Sequence, residues 1–146
     1  MADQDKATVL AEINRWSANT LMGTLNIEYT DVGEDFLEAR MPVTPAVHQP
    51  MGILHGGATA ALAESVGSAA SCLRLDLSQE VPVGVELSIT HLRKMRQGEV
   101  VARASLVHGG RSMHVWEINI HDQDHRKVAW SRLLMKVIPK PEDAPY

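Results

Sequence analysis

Between Gly56 and Ser71 every residue is Gly, Ala or Ser except Thr59, Leu62, Glu64 and Val66. An alanine-rich run of this length forms a helix, and it predicts one over residues 56–73. Side chains this small let neighbouring backbone approach closely, as a helix wrapped by a sheet requires. Glu64 is the only charge in the run. Burying a carboxylate without compensation is strongly unfavourable, so Glu64 is expected to be paired, hydrogen-bonded or functional. A paired glutamate at a subunit interface is the structural alternative.

The flanking sequence supplies the sheet. Val9, Leu10, Ile13 and Trp16 recur at helical spacing between Ala7 and Trp16, which predicts an amphipathic helix packed across a later part of the chain. Asn19–Leu25 reads as a loop or short turn. Asn26–Val32 and Phe36–Val43 form a hairpin pattern about Gly33-Glu34-Asp35, with Phe36, Glu38 and Arg40 opposed to Leu37, Ala39 and Met41. Pro42, Pro45 and Pro50 bracket a loop ending at Leu54.

Beyond the helix lie β-rich segments at 81–96, 98–108, 112–121 and 126–138. Turns at Gln97-Gly98, Gly109-Gly110 and Asp122-Gln123-Asp124 separate them. Trp116, Ile118 and Ile120 alternate with Val115, Glu117 and Asn119, as in a half-buried strand. Consecutive strands joined by short turns make an antiparallel sheet. Pro139, Pro141 and Pro145 predict a frayed tail over 139–146. The expectation is an α+β chain forming one domain over 1–146. A helix within residues 1–20 precedes a long central helix cradled by a curved antiparallel sheet of about six strands.

Composition narrows the function classes. The formal net charge of −4 offers no general attraction to nucleic acid or anionic membrane. No stretch approaches the roughly 20 apolar residues of a membrane-spanning helix, and the first residues carry charge and no apolar run. The single cysteine, Cys72, cannot form an intrachain disulfide, which fits a cytoplasmic protein. The seven histidines are scattered, with no metal-ligand spacing, and no Gly-x-Ser-x-Gly elbow is present. Neither a metal, a cofactor nor a serine nucleophile is expected.

The chemistry concentrates in His48-Gln49-Pro50-Met51-Gly52-Ile53-Leu54-His55-Gly56-Gly57 and in Glu64. Two glycines opening a helix let a ligand approach its free first-turn amides, which can stabilise the oxyanion of acyl transfer. The plainer reading is that Gly56 and Gly57 serve tight helix–sheet packing. Ser68 lies one turn beyond Glu64 on the same face and can orient it or a water. Gly56 and Glu64 are eight residues, or about 12 Å of helix, apart. If both act on one carbonyl, the site is shared between two subunits. His91, Arg93, Lys94 and Arg96, with His108 and Arg111 beyond, form a basic cluster suited to nucleotide phosphates.

These residues resemble the hotdog-fold thioesterases of the phenylacetate-pathway superfamily, most of all the subgroup containing 1,4-dihydroxy-2-naphthoyl-CoA hydrolases and the proofreading thioesterase of enterobactin synthesis. The likeness runs from about Leu21 to Val137. It is carried by Gln49 to Gly57, Leu62-Ala63-Glu64-Ser65-Val66-Gly67-Ser68, Val83-Gly84-Val85-Glu86, His91-Leu92-Arg93 and Val115-Trp116.

The resemblance implies a hotdog fold and hydrolysis of an acyl-CoA, leaning toward aromatic acyl groups. It implies Glu64 as nucleophile or general base and the Gly56 amide as polariser of the thioester carbonyl. Gln49 and His55 would position the thioester, and Ser68 would hold the hydrolytic water. Gly84, His91, Arg93, Gly110 and Arg111 would contact CoA. It also implies a homo-oligomer with dimer-shared sites, usually a tetramer. The rivals are an acyl-thioester dehydratase or hydratase using His55 and Glu64, and a non-catalytic acyl-CoA binding module.

Overall fold

The computed structural model describes residues 3–142. The alanine-rich run forms α3 (Gly56–Cys72), close to the predicted bounds. Ahead of it come α1 (Asp3–Ser17), a single turn α2 (Leu21–Thr24), β1 (Glu28–Val32), β2 (Phe36–Pro42), a 3-10 turn (Pro45–Val47) and a two-residue ladder, β3 (His48–Gln49) with β4 (Ile53–Leu54). After it come β5 (Glu80–His91), β6 (Glu99–Gly109), β7 (Met113–Asp122) and β8 (Lys127–Pro139).

Six strands form one antiparallel sheet in the order β1-β2-β6-β7-β8-β5. The expectation of a helix cradled by about six strands is met. Bulges between Tyr29 and Asp31, Gly84 and Glu86, and Leu106 and His108 bend the sheet.

The concave face holds α3. Its buried face is Thr59, Leu62, Ala63, Val66, Gly67, Ala70 and Ser71. Opposite lie Leu37, Ala39 and Met41 of β2, Ala102 and Ala104 of β6, Trp116, Ile118 and Ile120 of β7, and Leu133 and Met135 of β8. Small residues on helix and sheet alike permit the close approach. Trp116, fully buried, donates its indole N–H to Ser71 Oγ at 2.7 Å, so its polar edge is satisfied inside the core.

The sequence pattern misplaces four features. β5 is not the hairpin partner of β6; it pairs with β8 at the far edge, and residues 92–98 cross the sheet to reach β6. The strand predicted to reach 96 ends at His91. There the chain leaves the ladder, and the Leu92 and Arg93 amides both turn onto Val128 O (2.9 and 3.1 Å).

Trp16, expected on the buried face of α1, is half exposed. Asn14 is level with Tyr29, exchanging two hydrogen bonds with its backbone (2.9 and 3.0 Å), so Trp16 projects past the start of β1. Finally, Pro139 ends β8 instead of beginning a frayed tail, and the Lys140 amide bonds Gln79 O at 2.8 Å. The rest of that tail, 143–146, and residues 1–2 of the N-terminal segment lie outside the described residues.

Gly67 gives this packing a quantitative test. A Cβ built there would lie 2.5 Å from Leu133 Cδ2, a fully buried side chain with nowhere to move. Replacing a mid-helix glycine by alanine gains about 0.5–1 kcal/mol of helix propensity, whereas overpacking a core costs about 1–3 kcal/mol. Gly67→Ala should therefore be destabilising on balance, by up to about 2 kcal/mol. Gly67→Val should lose about 1–3 kcal/mol in urea unfolding at an unchanged m-value.

Candidate active site

The N-terminus of α3 is built by its own cap. His55, in extended conformation, accepts the Gly57 amide on Nδ1 at 2.8 Å, and its carbonyl accepts from Ala58 (3.0 Å) and Thr59 (3.2 Å). A neutral His55 therefore carries its proton on Nε2. Three of the first four amides are thus engaged. The remaining one, Gly56 N–H, donates to no group among the described residues. It points out of the positive end of the helix dipole, where developing negative charge is favoured.

Two segments lock this terminus in place. The Leu54 amide bonds Met95 O at 2.7 Å, His55 N bonds Val47 O at 2.9 Å, and His48 Nε2 lies 2.9 Å from Arg96 O. Arg96, expected in a phosphate-binding cluster, turns its guanidinium onto Gly52 O (3.2 Å) and Met51 O (3.4 Å). Gly52 adopts φ +69°, which a β-carbon disfavours. Gln49, in β3, accepts the Met51 amide on its side-chain oxygen, leaving its NH2 as a donor.

Glu64 lies two turns further along α3, half buried, and makes no ion pair among the described residues. Its only hydrogen bond among the described residues is from Ser68 Oγ to Oε1 at 3.4 Å, and that hydroxyl also lies 3.7 Å from Met135 Sδ. Burial pushes the Glu64 carboxyl above its ordinary range, and the Ser68 bond opposes the shift without cancelling it. The carboxylate presses on β5 at Gly84: a Cβ there would sit 2.4 Å from Oε1. The β5 bulge falls beside this contact.

The remaining predicted residues divide into two groups. His91, the last residue of β5, lays its ring over Gly56, with Nε2 2.9 Å from where a Cβ of that residue would lie. Arg93 is exposed just beyond. Gly110 and Arg111 are elsewhere, in the β6–β7 turn, where Gly110 N bonds Met113 O at 2.9 Å and the His108 ring covers Gly110. That turn is level with Gly84 across the sheet, since Gly84, Met135, His114 and Gly109 pair in one row. It is therefore three strands and seven residues away from His91, and one subunit does not bring them together.

A cleft of about 340 Å³ opens beside His55 and Gly57, walled by Leu21, Val47, Ala58 and Ala61. Val66 lies wholly in the core, and Met22 and Leu54 pack against that core.

This arrangement, a free amide at a glycine-opened helix and an unpaired carboxylate on the same helix, can be set against known proteins. Residues 51–129 match the thioesterase superfamily. The chain belongs to the thioesterase superfamily. The hotdog thioesterase is similar to the proofreading thioesterase EntH of Cronobacter turicensis, with 46% identity over 129 residues, 88% of this chain and 93% of that protein.

Its fold is similar to a thioesterase from Pseudomonas aeruginosa solved as a crystal structure. The TM-score is 0.87 at 42% identity, covering 89% of this chain and 94% of that one. A thioesterase from Haemophilus influenzae gives TM-score 0.87 at 40% identity, covering 92% and 93%. The chain is a thioester hydrolase of hotdog fold. Among the described residues no cluster of three or more His, Cys, Asp or Glu is placed to hold a metal, and no helix is long and apolar enough to cross a membrane.

Gly56→Pro removes the amide but, like Gly56→Ala, also places a Cβ against the His91 ring, so the role of the amide is read from the difference between the two variants. Proline is tolerated at the first position of a helix, and His55 already has the extended backbone that a following proline demands. Gly56→Pro should keep the far-UV spectrum while its kcat for thioester hydrolysis falls about 10²–10³ below that of Gly56→Ala, the usual loss for one oxyanion donor.

Proposed function

We propose that the protein hydrolyses an aromatic or medium-chain acyl-CoA to the free acid and CoA, with Glu64 as nucleophile or general base. The observation that carries this reading is the state of Glu64: half buried in an apolar helix, unpaired, and held only by Ser68. A carboxylate in that condition costs stability, and chemistry is the reason to keep it. The thioester carbonyl accepts the Gly56 amide. Glu64 attacks that carbonyl or activates water toward it, and CoA leaves as the thiolate. Gln49 and His55 flank the thioester, and Ser68 steadies the carboxylate or its water. The apolar cleft beside His55 and Gly57 suits an aryl or alkyl acyl group. Exposed Arg93 and Lys94 are available to phosphates.

A second copy of the chain is part of the proposal. Gly56 and Glu64 stand about 12 Å apart on one straight helix, too far to serve one carbonyl. β5 is an edge strand whose free side exposes Val83 and Val85 beside Gly84, an arrangement that invites pairing with another strand. In a dimer so formed, Glu64 of one protomer faces Gly56 of its partner, and two such dimers make the tetramer. A cytoplasmic location belongs to the same proposal.

Thiol release from benzoyl-, 1,4-dihydroxy-2-naphthoyl-, hexanoyl- and crotonyl-CoA tests the reaction. Wild type should release CoA and Glu64→Gln should lose at least about 10³ of that rate; hydration of the crotonyl thioester without thiol release would instead mark a hydratase. Glu64 must ionise to act, and burial raises its pKa, so kcat/KM should fall as pH drops through a value above the ordinary 4.5. The linkage has the corresponding sign. A carboxyl whose folded pKa is raised stabilises the fold below its unfolded pKa, and that contribution is lost as pH rises through the folded one. Glu64→Gln should accordingly raise Tm at pH 7 and change it little at pH 4.

Sharing of the site predicts complementation. Glu64→Ala and Gly56→Pro subunits, each inactive alone, should recover about a quarter of wild-type activity when dissociated and reassembled at equal amounts, because half the dimers hold one intact site of two. No recovery on mixing would place both groups in one subunit.

A further inference from the structure

We propose that the His91 imidazole is a second hydrogen-bond donor to the thioester carbonyl, set beside the Gly56 amide by the end of β5. It rests on hydrolysis at the Glu64 site as proposed above, and it assigns His91 to the reacting end of the substrate and not to the nucleotide.

The first support is position. His91 Nε2, Cε1 and Cδ2 lie 2.9, 3.2 and 3.5 Å from where a Gly56 Cβ would be. The ring fills the place of the missing side chain on the one residue of the helix terminus whose amide is unengaged. An acceptor bound to that amide from the side of the missing Cβ therefore comes next to Nε2.

The second support is need. A developing oxyanion has more than one lone pair to stabilise, and the helix end supplies only one backbone donor, because His55 takes the Gly57 amide at 2.8 Å, so a second donor has to be a side chain. An Nε2–H on His91 supplies the other. It acts by donating a hydrogen bond, with no proton leaving the ring.

The third support is restraint. The two residues after His91 are fastened to Val128 O, and residues 95 and 96 hold the loop before Gly56 through Leu54 and Gly52. His91 and Gly56 are thus fixed relative to each other from both sides, as a preorganised pair of donors requires. The His91 ring has no hydrogen-bond or ionic partner among the described residues, so its donor is uncommitted. Arg93 and Lys94, exposed and without ion pairs there, remain for the phosphates.

The competing role for His91 is a contact with CoA phosphates, and a substrate without phosphates separates the two. Benzoyl-CoA and benzoyl-N-acetylcysteamine share the thioester and differ in the nucleotide. His91→Ala should lower kcat by about 10²-fold on both, with KM little changed, and His91→Gln, which keeps an N–H, should recover part of the loss.

Gly56→Ala keeps the amide but puts a methyl where the ring lies. It should lose activity to a similar degree, and adding it to His91→Ala should cost little more. Loss confined to benzoyl-CoA, or appearing as raised KM only, would assign His91 to the phosphates and overturn the proposal. So would full activity of His91→Ala on both thioesters while Glu64→Gln remains dead, an outcome that leaves hydrolysis at Glu64 standing. If Glu64→Gln is as active as wild type, the hydrolytic reading falls and the His91 assignment with it.

Discussion

The contact between α3 and the hollow of the sheet is the constraint on which everything else depends. On its buried face the helix carries small residues around Leu62 and Val66, and the sheet answers with Ala39, Ala102 and Ala104 where it passes beneath. Two backbones brought this close leave no slack: Gly67 has no room even for a methyl beside Leu133. The helix is thereby fixed in rotation as well as position. Because rotation is fixed, the direction in which Glu64 and the Gly56 amide point is fixed too. The site inherits its precision from packing that is mainly apolar, tied by the hydrogen bonds from Trp116 to Ser71 and from Tyr29 to Ser65 O.

The two ends of α3 are treated differently by the surrounding chain. Its C-terminal half is enclosed by core. Its N-terminal turn is held by a frame of backbone hydrogen bonds from residues 47 and 95, with Arg96 and His48 as side-chain ties. That frame exists only because β5 and β6 are not neighbours. A tight hairpin between them would have left residues 92–98 with no path across the sheet end, and the helix terminus would stand without its outer wall.

Much of this was legible in the sequence because its strongest signals are local. An alanine-rich run with one charge marks the helix and its chemistry at once, and period-two alternation marks β2 and β7. What was not legible is what depends on pairs far apart in the chain. The pairing of β5 with β8 leaves no trace in either strand alone, and the overhang of Trp16 depends on where β1 begins. The contacts of Gly84 with Glu64 and of His91 with Gly56 join residues 20 and 35 positions apart. The glycines at 56 and 84 looked like room for a ligand or for packing; they prove to be room for other side chains of the same subunit. Arg96 read as a free cation because a sequence does not show which backbone carbonyls a loop will turn toward it.

The absence of a β-carbon at residue 84 has an evolutionary reach. The volume such a carbon would fill is occupied by the Glu64 carboxylate, not by the core, and residue 84 is otherwise exposed. Its identity is therefore almost uncoupled from the folding of the domain and tightly coupled to where the acid sits. A lineage could trade glycine for a larger residue there, keep the same barrel of strands around the same helix, and inherit a protein that still holds its ligand with the carboxylate moved aside. Enzymes and non-enzymes on one scaffold would then differ, at the start of their divergence, by a single codon.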